Sequence, residues 1–142
     1  GFIMSLIRNV KKMSQVIDFT GLSKGSIHPT DIDVVLEFNN RFLILMELKT
    51  NGSKIPTGQR LLLERVVDAW NSNTGKKAIA LYVTHNFKDP SKPIVLEGCD
   101  VKSYYQGGSD WSDSKTEITV KECLNILAEK WNISKMKGIG DS

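Results

Sequence analysis

Four charged residues in this chain have types and spacing that could do chemistry: Asp31, Asp33, Glu47 and Lys49. They lie on two β-rich runs, Asp31 to Phe38 and Phe42 to Lys49, and the polar triplet Asn39-Asn40-Arg41 between them reads as a hairpin loop. Strand side chains alternate between faces, so Asp31, Asp33, Val35 and Glu37 share one side of the first strand, and Leu43, Leu45, Glu47 and Lys49 share one side of the second. If Phe38 pairs with Phe42, Asp33 falls opposite Glu47 and Asp31 opposite Lys49, with Cβ atoms ~5 Å apart. A slip of one residue would destroy this arrangement, so it depends on the loop length. Two carboxylates held side by side repel each other. A hard divalent cation relieves the repulsion, and Mg²⁺ takes one or two carboxylates together with waters and phosphate oxygens. A lysine beside the pair can neutralise a phosphate or help orient and deprotonate a water. Carboxylates, metal and lysine on one strand pair describe metal-assisted hydrolysis of a phosphodiester.

The surrounding pattern must hold this hairpin in place. Phe2, Ile3, Leu6, Ile7, Val10, Met13 and Ile17 recur at three- and four-residue steps, which predicts an amphipathic helix over 2–17 with Arg8, Lys11 and Lys12 on its other face. A loop runs from Gly21 to Pro29, and Val16–Thr20 carries a faint strand signal. After the hairpin, a helix fits 59–71, with Leu62, Leu63, Val66, Val67 and Trp70 inward and Thr57 as its candidate cap. Residues 78–84 form a near-continuous apolar run of the kind buried on both faces of a sheet. Ile94–Leu96 and Val101–Tyr105 read as short strands, and Gln106 to Thr116 as a polar loop around Trp111. Thr119 and Glu122 have the spacing of a capping box, opening a helix over 120–131 and leaving a frayed tail over 133–142. The expected fold is therefore α/β: a central mixed β-sheet, built from the antiparallel hairpin 31–49 and strand 78–84, flanked by helices 2–17, 59–71 and 120–131. Residues 1–142 are expected to form one domain, with the core over about 1–105.

Pro29-Thr30-Asp31-Ile32-Asp33, followed after a hairpin by Glu47-Leu48-Lys49, resembles the signature of the PD-(D/E)XK nuclease superfamily. That family has a restriction-endonuclease-like core with the order helix, three-strand meander, helix, strand, and the resemblance covers about residues 1–85. It is similar above all to small single-domain members, the Holliday-junction-resolvase-like and virus-type replication-repair nuclease domains. These also carry a glutamine at the start of the helix after the Glu-x-Lys strand, a place that Gln59 fits. The resemblance implies that Asp33 and Glu47 hold a metal ion, that the backbone carbonyl of Leu48 completes its shell, and that Lys49 and Gln59 are catalytic. Asp31 competes with Asp33 for the family's aspartate; the register favours Asp33, leaving Asp31 as a secondary ligand. One departure stands out. Many members bring a further acid from the first helix, and residues 2–17 contain neither Asp nor Glu. Gln15 or Asp18 takes that part, or the site holds a single ion. The implied activity is endonucleolytic cleavage of DNA with Mg²⁺, or Mn²⁺ as a substitute, on duplex, junction or branched substrates. The family analogy extends to homodimers. A reading from another class is a degenerate nuclease fold serving as a nucleic-acid-binding or assembly module.

Composition excludes more than it identifies. The chain has 142 residues, 40% hydrophobic and 25% charged, enough for a core without disulfide staples and too apolar for wholesale disorder. No apolar run approaches the ~18 residues of a membrane span, and Gly1-Phe2-Ile3-Met4 lacks the charged start of a signal peptide. A cytoplasmic location is expected, or the host-cell cytoplasm for a viral protein. Cys99 and Cys123 with His28 and His85 are too scattered for the paired spacing of a zinc site. The formal net charge of +3 is small. With Asp31, Asp33 and Glu47 set aside for one metal site, however, the remaining surface is modestly basic, and Arg8, Lys11, Lys12, Lys54 and Arg60 are candidate contacts to a nucleic-acid backbone. Solvated helix faces explain those cations equally well. Core packing is the plainer reading of Tyr104, Tyr105 and Trp111, and loop positions that of the two histidines.

Overall fold

The computed structural model describes residues 32–136. The expected helix over 2–17, the strand signal at 16–20, the loop to Pro29, and Arg8, Lys11, Lys12, His28 and Asp31 lie outside the described residues, as does 137–142.

Strands β1 (Val34–Phe38) and β2 (Phe42–Thr50) form the hairpin, paired antiparallel from Phe38↔Phe42 to Val34↔Met46. The register is the expected one. Asn39 and Asn40 both adopt positive φ (55° and 57°), the left-handed conformation a tight hairpin turn demands and Asn tolerates. Arg41 N–H closes the turn onto Phe38 O at 3.0 Å. The first strand starts at Val34 rather than Asp31; Asp33 sits in a bend just ahead of it.

Helix α1 (Thr57–Asn71) carries the chain back to β3 (Lys77–His85), which pairs parallel to β2. Thr57 does not cap this helix. The cap position is Pro56, with extended backbone and no side-chain bond, so Thr57 becomes the first helical residue. Strand β4 (Asp100–Tyr105) pairs antiparallel to β3, and the two-residue β5 (Ser112–Asp113) completes a sheet of order β1-β2-β3-β4-β5. Helix α2 (Val120–Trp131) crosses the other face. Among the described residues the protein is thus α/β, a five-stranded mixed sheet flanked by two helices, and no helix there is long and apolar enough to cross a membrane.

Alternation along the strands makes two cores. Leu43, Leu45, Ala78, Ala80 and Tyr105 face α1, where Leu63 and Val67 cover them. Ile44, Met46, Ile79, Leu81 and Val83 face the opposite way, beneath Val120, Leu124, Leu127 and Ala128 of α2. The capping box of α2 is present: Glu122 N–H donates to Thr119 Oγ1 at 3.2 Å, and Thr119 N–H to Glu122 Oε1 at 3.2 Å. Thr119→Ala is expected to cost about 1 kcal/mol, read as a lower midpoint in urea with an unchanged slope.

Three expectations fail in the second half. Ile94–Leu96 is not a strand: Ile94 and Val95 are exposed loop residues and Leu96 opens a 3₁₀ turn, because Pro90 and Pro93 remove backbone donors from the segment before it. Gln106–Thr116 is not all loop, since β5 forms within it. The tail does not fray at once. Ile133 and Met136 are buried in the α2 core after Asn132 turns the chain with φ 54°. Trp111 and Tyr105 are structural. Trp111 Nε1–H donates to Glu64 Oε2 at 3.1 Å, Tyr105 OH donates to Asp68, and their rings lie 5.7 Å apart.

Candidate active site

The hairpin register extends one step past β1 to set Asp33 across from Glu47. There the ladder ends and a side chain takes over: Asp33 Oδ2 accepts the Leu48 N–H at 2.8 Å. A residue's N–H and C=O point toward the same edge of a strand, so the Leu48 carbonyl also faces the Asp33 end. Asp33, the Leu48 backbone and Glu47 therefore converge where β1 stops and β2 continues.

Glu47 follows Leu43 and Leu45 on the face covered by α1 and is almost fully buried, at 1% exposure. A carboxylate in that position is costly unless paired. Lys49, two residues on along the same face, places Nζ 3.6 Å from Glu47 Oε1, an ion pair too long for a hydrogen bond. The Lys49 side chain remains 27% exposed, whereas that of Glu47 is almost wholly buried.

Helix α1 bridges two parallel strands and so runs against both. Leu63 and Val67 lie over Leu45 and Leu43 in one cluster. One further turn toward the helix start, a rise of ~6 Å against ~6.6 Å for two strand residues, brings Gln59 to the level of Glu47. Gln59 Oε1 is buried there and has no hydrogen-bond partner among the described residues.

On the other side of β2, Tyr82 is the parallel-strand partner of Glu47, and Thr84, buried, that of Lys49. Tyr82 OH donates to the carbonyl of Ser53, tying the loop after β2 to β3 beside the carboxylate. Burial raises the Tyr82 hydroxyl above its ordinary pKa, which keeps it a donor. Sequence spacing missed both residues, because a parallel crossover leaves no trace of its register in the sequence.

The structure thus brings together Asp33, Glu47, Leu48 and Lys49, with Gln59 above them. It does not bring Arg60 to them as a free cation: Arg60 pairs with Glu64 at 3.7 Å on the outer side of α1. Lys54 is exposed in the loop after β2. His85 stands at the end of β3, with its backbone carbonyl bonded to Asn51 N–H at 2.9 Å. Cys99 and Cys123 are free thiols, and burial raises both, Cys123 to about 11.

A metal ion would have only hard oxygen donors here, two carboxylates and the Leu48 carbonyl, the set that suits Mg²⁺. Among the described residues no three His, Cys, Asp or Glu side chains gather into a metal-sized group, here or elsewhere, so the set at this site is two carboxylates and one backbone carbonyl. No family model, curated protein or solved structure matches this chain.

Proposed function

We propose that this chain is a Mg²⁺-dependent endonuclease acting on DNA, built on a restriction-endonuclease-like core. One observation carries the reading: a buried glutamate, an aspartate hydrogen-bonded to the next backbone amide, and a lysine two residues on share the open edge of one hairpin. The described order of hairpin, helix and parallel strand is the order of the second half of the family's core.

Asp33, Glu47 and the Leu48 carbonyl would hold the ion, with Asp31 as a secondary ligand. When bound, such an ion supplies Lewis acidity to a phosphoryl oxygen and lowers the pKa of water. The protein's own groups do the rest. The Lys49 ammonium balances charge developing on the phosphate and orients the attacking water. Gln59 has an unused acceptor with which to position that water or the substrate. The Tyr82–Ser53 bond keeps the loop that carries Lys54 against the site. The proposed cleavage is structure-selective or weakly sequence-specific, on duplex, junction or branched DNA. Work as a homodimer in the cytoplasm completes the proposal.

A second reading has one observation in its favour. The Asp33 carboxylate already serves the Leu48 amide, so it could be kept as a strand-end lock in a fold that only binds nucleic acid. Nicking of supercoiled plasmid and of a four-way junction separates the two readings. Wild type should cut with Mg²⁺ or Mn²⁺ and stop on chelation. Asp33→Asn, which keeps an acceptor for Leu48 but loses the charge, and Lys49→Ala should each cut about 10²–10⁴ times more slowly. No metal-dependent cutting, or cutting that survives both substitutions, rejects the nuclease and leaves the binding module.

A further inference from the structure

At the carboxyl ends of the parallel strands β2 and β3, where α/β sheets commonly bind ligands, a cleft of about 260 Å³ opens beside Thr84, His85, Phe87, Gly98 and Asp100. It adjoins the site, since Thr84 is the strand partner of Lys49 and His85 that of Thr50. Phe87 projects here with 48% of its surface exposed, although a large aromatic ring gains most from burial. Its place is fixed. The Phe87 N–H donates to His85 Nδ1 at 3.2 Å, and the two rings lie 5.9 Å apart, inclined by 33°. The bond also sets the imidazole tautomer, leaving Nε2 as the N–H donor. Exposed Lys88 and Lys92 follow along the same loop. The acid between them, Asp89, is folded back onto the backbone and side chain of Ser91 at 2.9 and 2.6 Å.

An exposed aromatic ring held in place, flanked by cations and lying next to a phosphodiester-cleaving site, is the pattern that stacks nucleobases while the cations meet the backbone. The cleft is smaller than the roughly 300 Å³ at which small-molecule pockets begin, so it accommodates one base rather than a helix. The Asp100 carboxylate, as an acceptor, suits a base edge that presents amino N–H groups. We propose that this cleft receives a single unpaired nucleobase against Phe87, which makes DNA with an unpaired or displaced base near the scissile bond the favoured substrate class. The proposal rests on the nuclease reading for its substrate, but its test does not depend on cleavage.

Fluorescence anisotropy with Ca²⁺ in place of Mg²⁺ compares a duplex containing a one-nucleotide bulge with the same duplex lacking it. Wild type should bind the bulged duplex roughly ten-fold tighter, the scale of one base stacked on an aromatic ring. Phe87→Ala should bring the two affinities together without weakening binding to the regular duplex, and Phe87→Tyr should restore the preference. Equal binding by wild type, binding to neither duplex, or a preference that survives Phe87→Ala overturns the proposal. Absence of metal-dependent nicking together with an intact, Phe87-dependent bulge preference would reject the nuclease alone.

Discussion

Glu47→Gln is expected to lower Mg²⁺-dependent DNA cleavage by about 10³-fold, some 4 kcal/mol of transition-state stabilisation, without loss of folding stability. Glutamine preserves the shape and one oxygen acceptor and removes only the charge. The buried position of Glu47, 1% exposed and 3.6 Å from Lys49, is where a charge matters most and where its removal disturbs packing least. A second substitution makes the distinction sharper. Glu47→Met fills the same volume with apolar atoms on a face that already holds Leu43 and Leu45, and the Lys49 side chain, 27% exposed, is not left as a fully buried unpaired charge, the case in which breaking a pair is costly. Glu47→Met should therefore melt at or above the wild-type temperature while being inactive. Initial nicking rates and thermal melts on the three proteins check both halves. A Glu47→Gln enzyme within ten-fold of wild type would remove Glu47 from the reaction; a Glu47→Met protein that unfolds would make the carboxylate structural.

Leu81→Ala is expected to cost about 3–5 kcal/mol, a large fraction of the roughly 5–15 kcal/mol that holds a domain of this size together. Leu81 has no exposed surface and sits on β3, between β2 and β4, under the α2 face of the sheet. Its neighbours are held by strand ladders on both sides and cannot collapse into the gap. Urea titration should show a lower midpoint with an unchanged slope. Val35→Ala, on β1 with 53% of its surface exposed, is the control, expected within about 0.5 kcal/mol of wild type. Comparable losses at the two positions would contradict the assignment of the core.

The hairpin was legible because its information is local. The polar triplet Asn39-Asn40-Arg41 between two β-rich runs sets the loop length, and loop length fixes register, so the sequence alone sets Asp33 across from Glu47. The periodicity of 59–71 and the Thr119–Glu122 box were legible for the same reason. What escaped the sequence is long-range. The pairing of Tyr82 with Glu47 follows from a crossover through α1, and the burial of Ile133 and Met136 from a core assembled across the sheet. Two-residue β5 is too short to show alternation, and it exists only because β4 offers Ser103 and Tyr104 as partners. Even at the site, the capture of the Leu48 amide by Asp33 was invisible, since it arises where regular pairing stops.

The two ways in which β2 is paired also bear on the order in which the molecule assembles. Its pairing with β1 closes a loop of three residues, whereas its pairing with β3 must wait for the whole segment from Asn51 to Lys76 to fold back. Short loops close fast and long crossovers slowly. Asp33, Leu48, Glu47 and Lys49 all belong to the fast-closing pair, and Gln59, Tyr82 and Thr84 to the slow one. During synthesis and refolding the acidic edge should thus exist first as an exposed, solvated hairpin. Only the later docking of α1 and β3 removes Glu47 from water, so the step that completes the sheet is also the one that buries its central carboxylate.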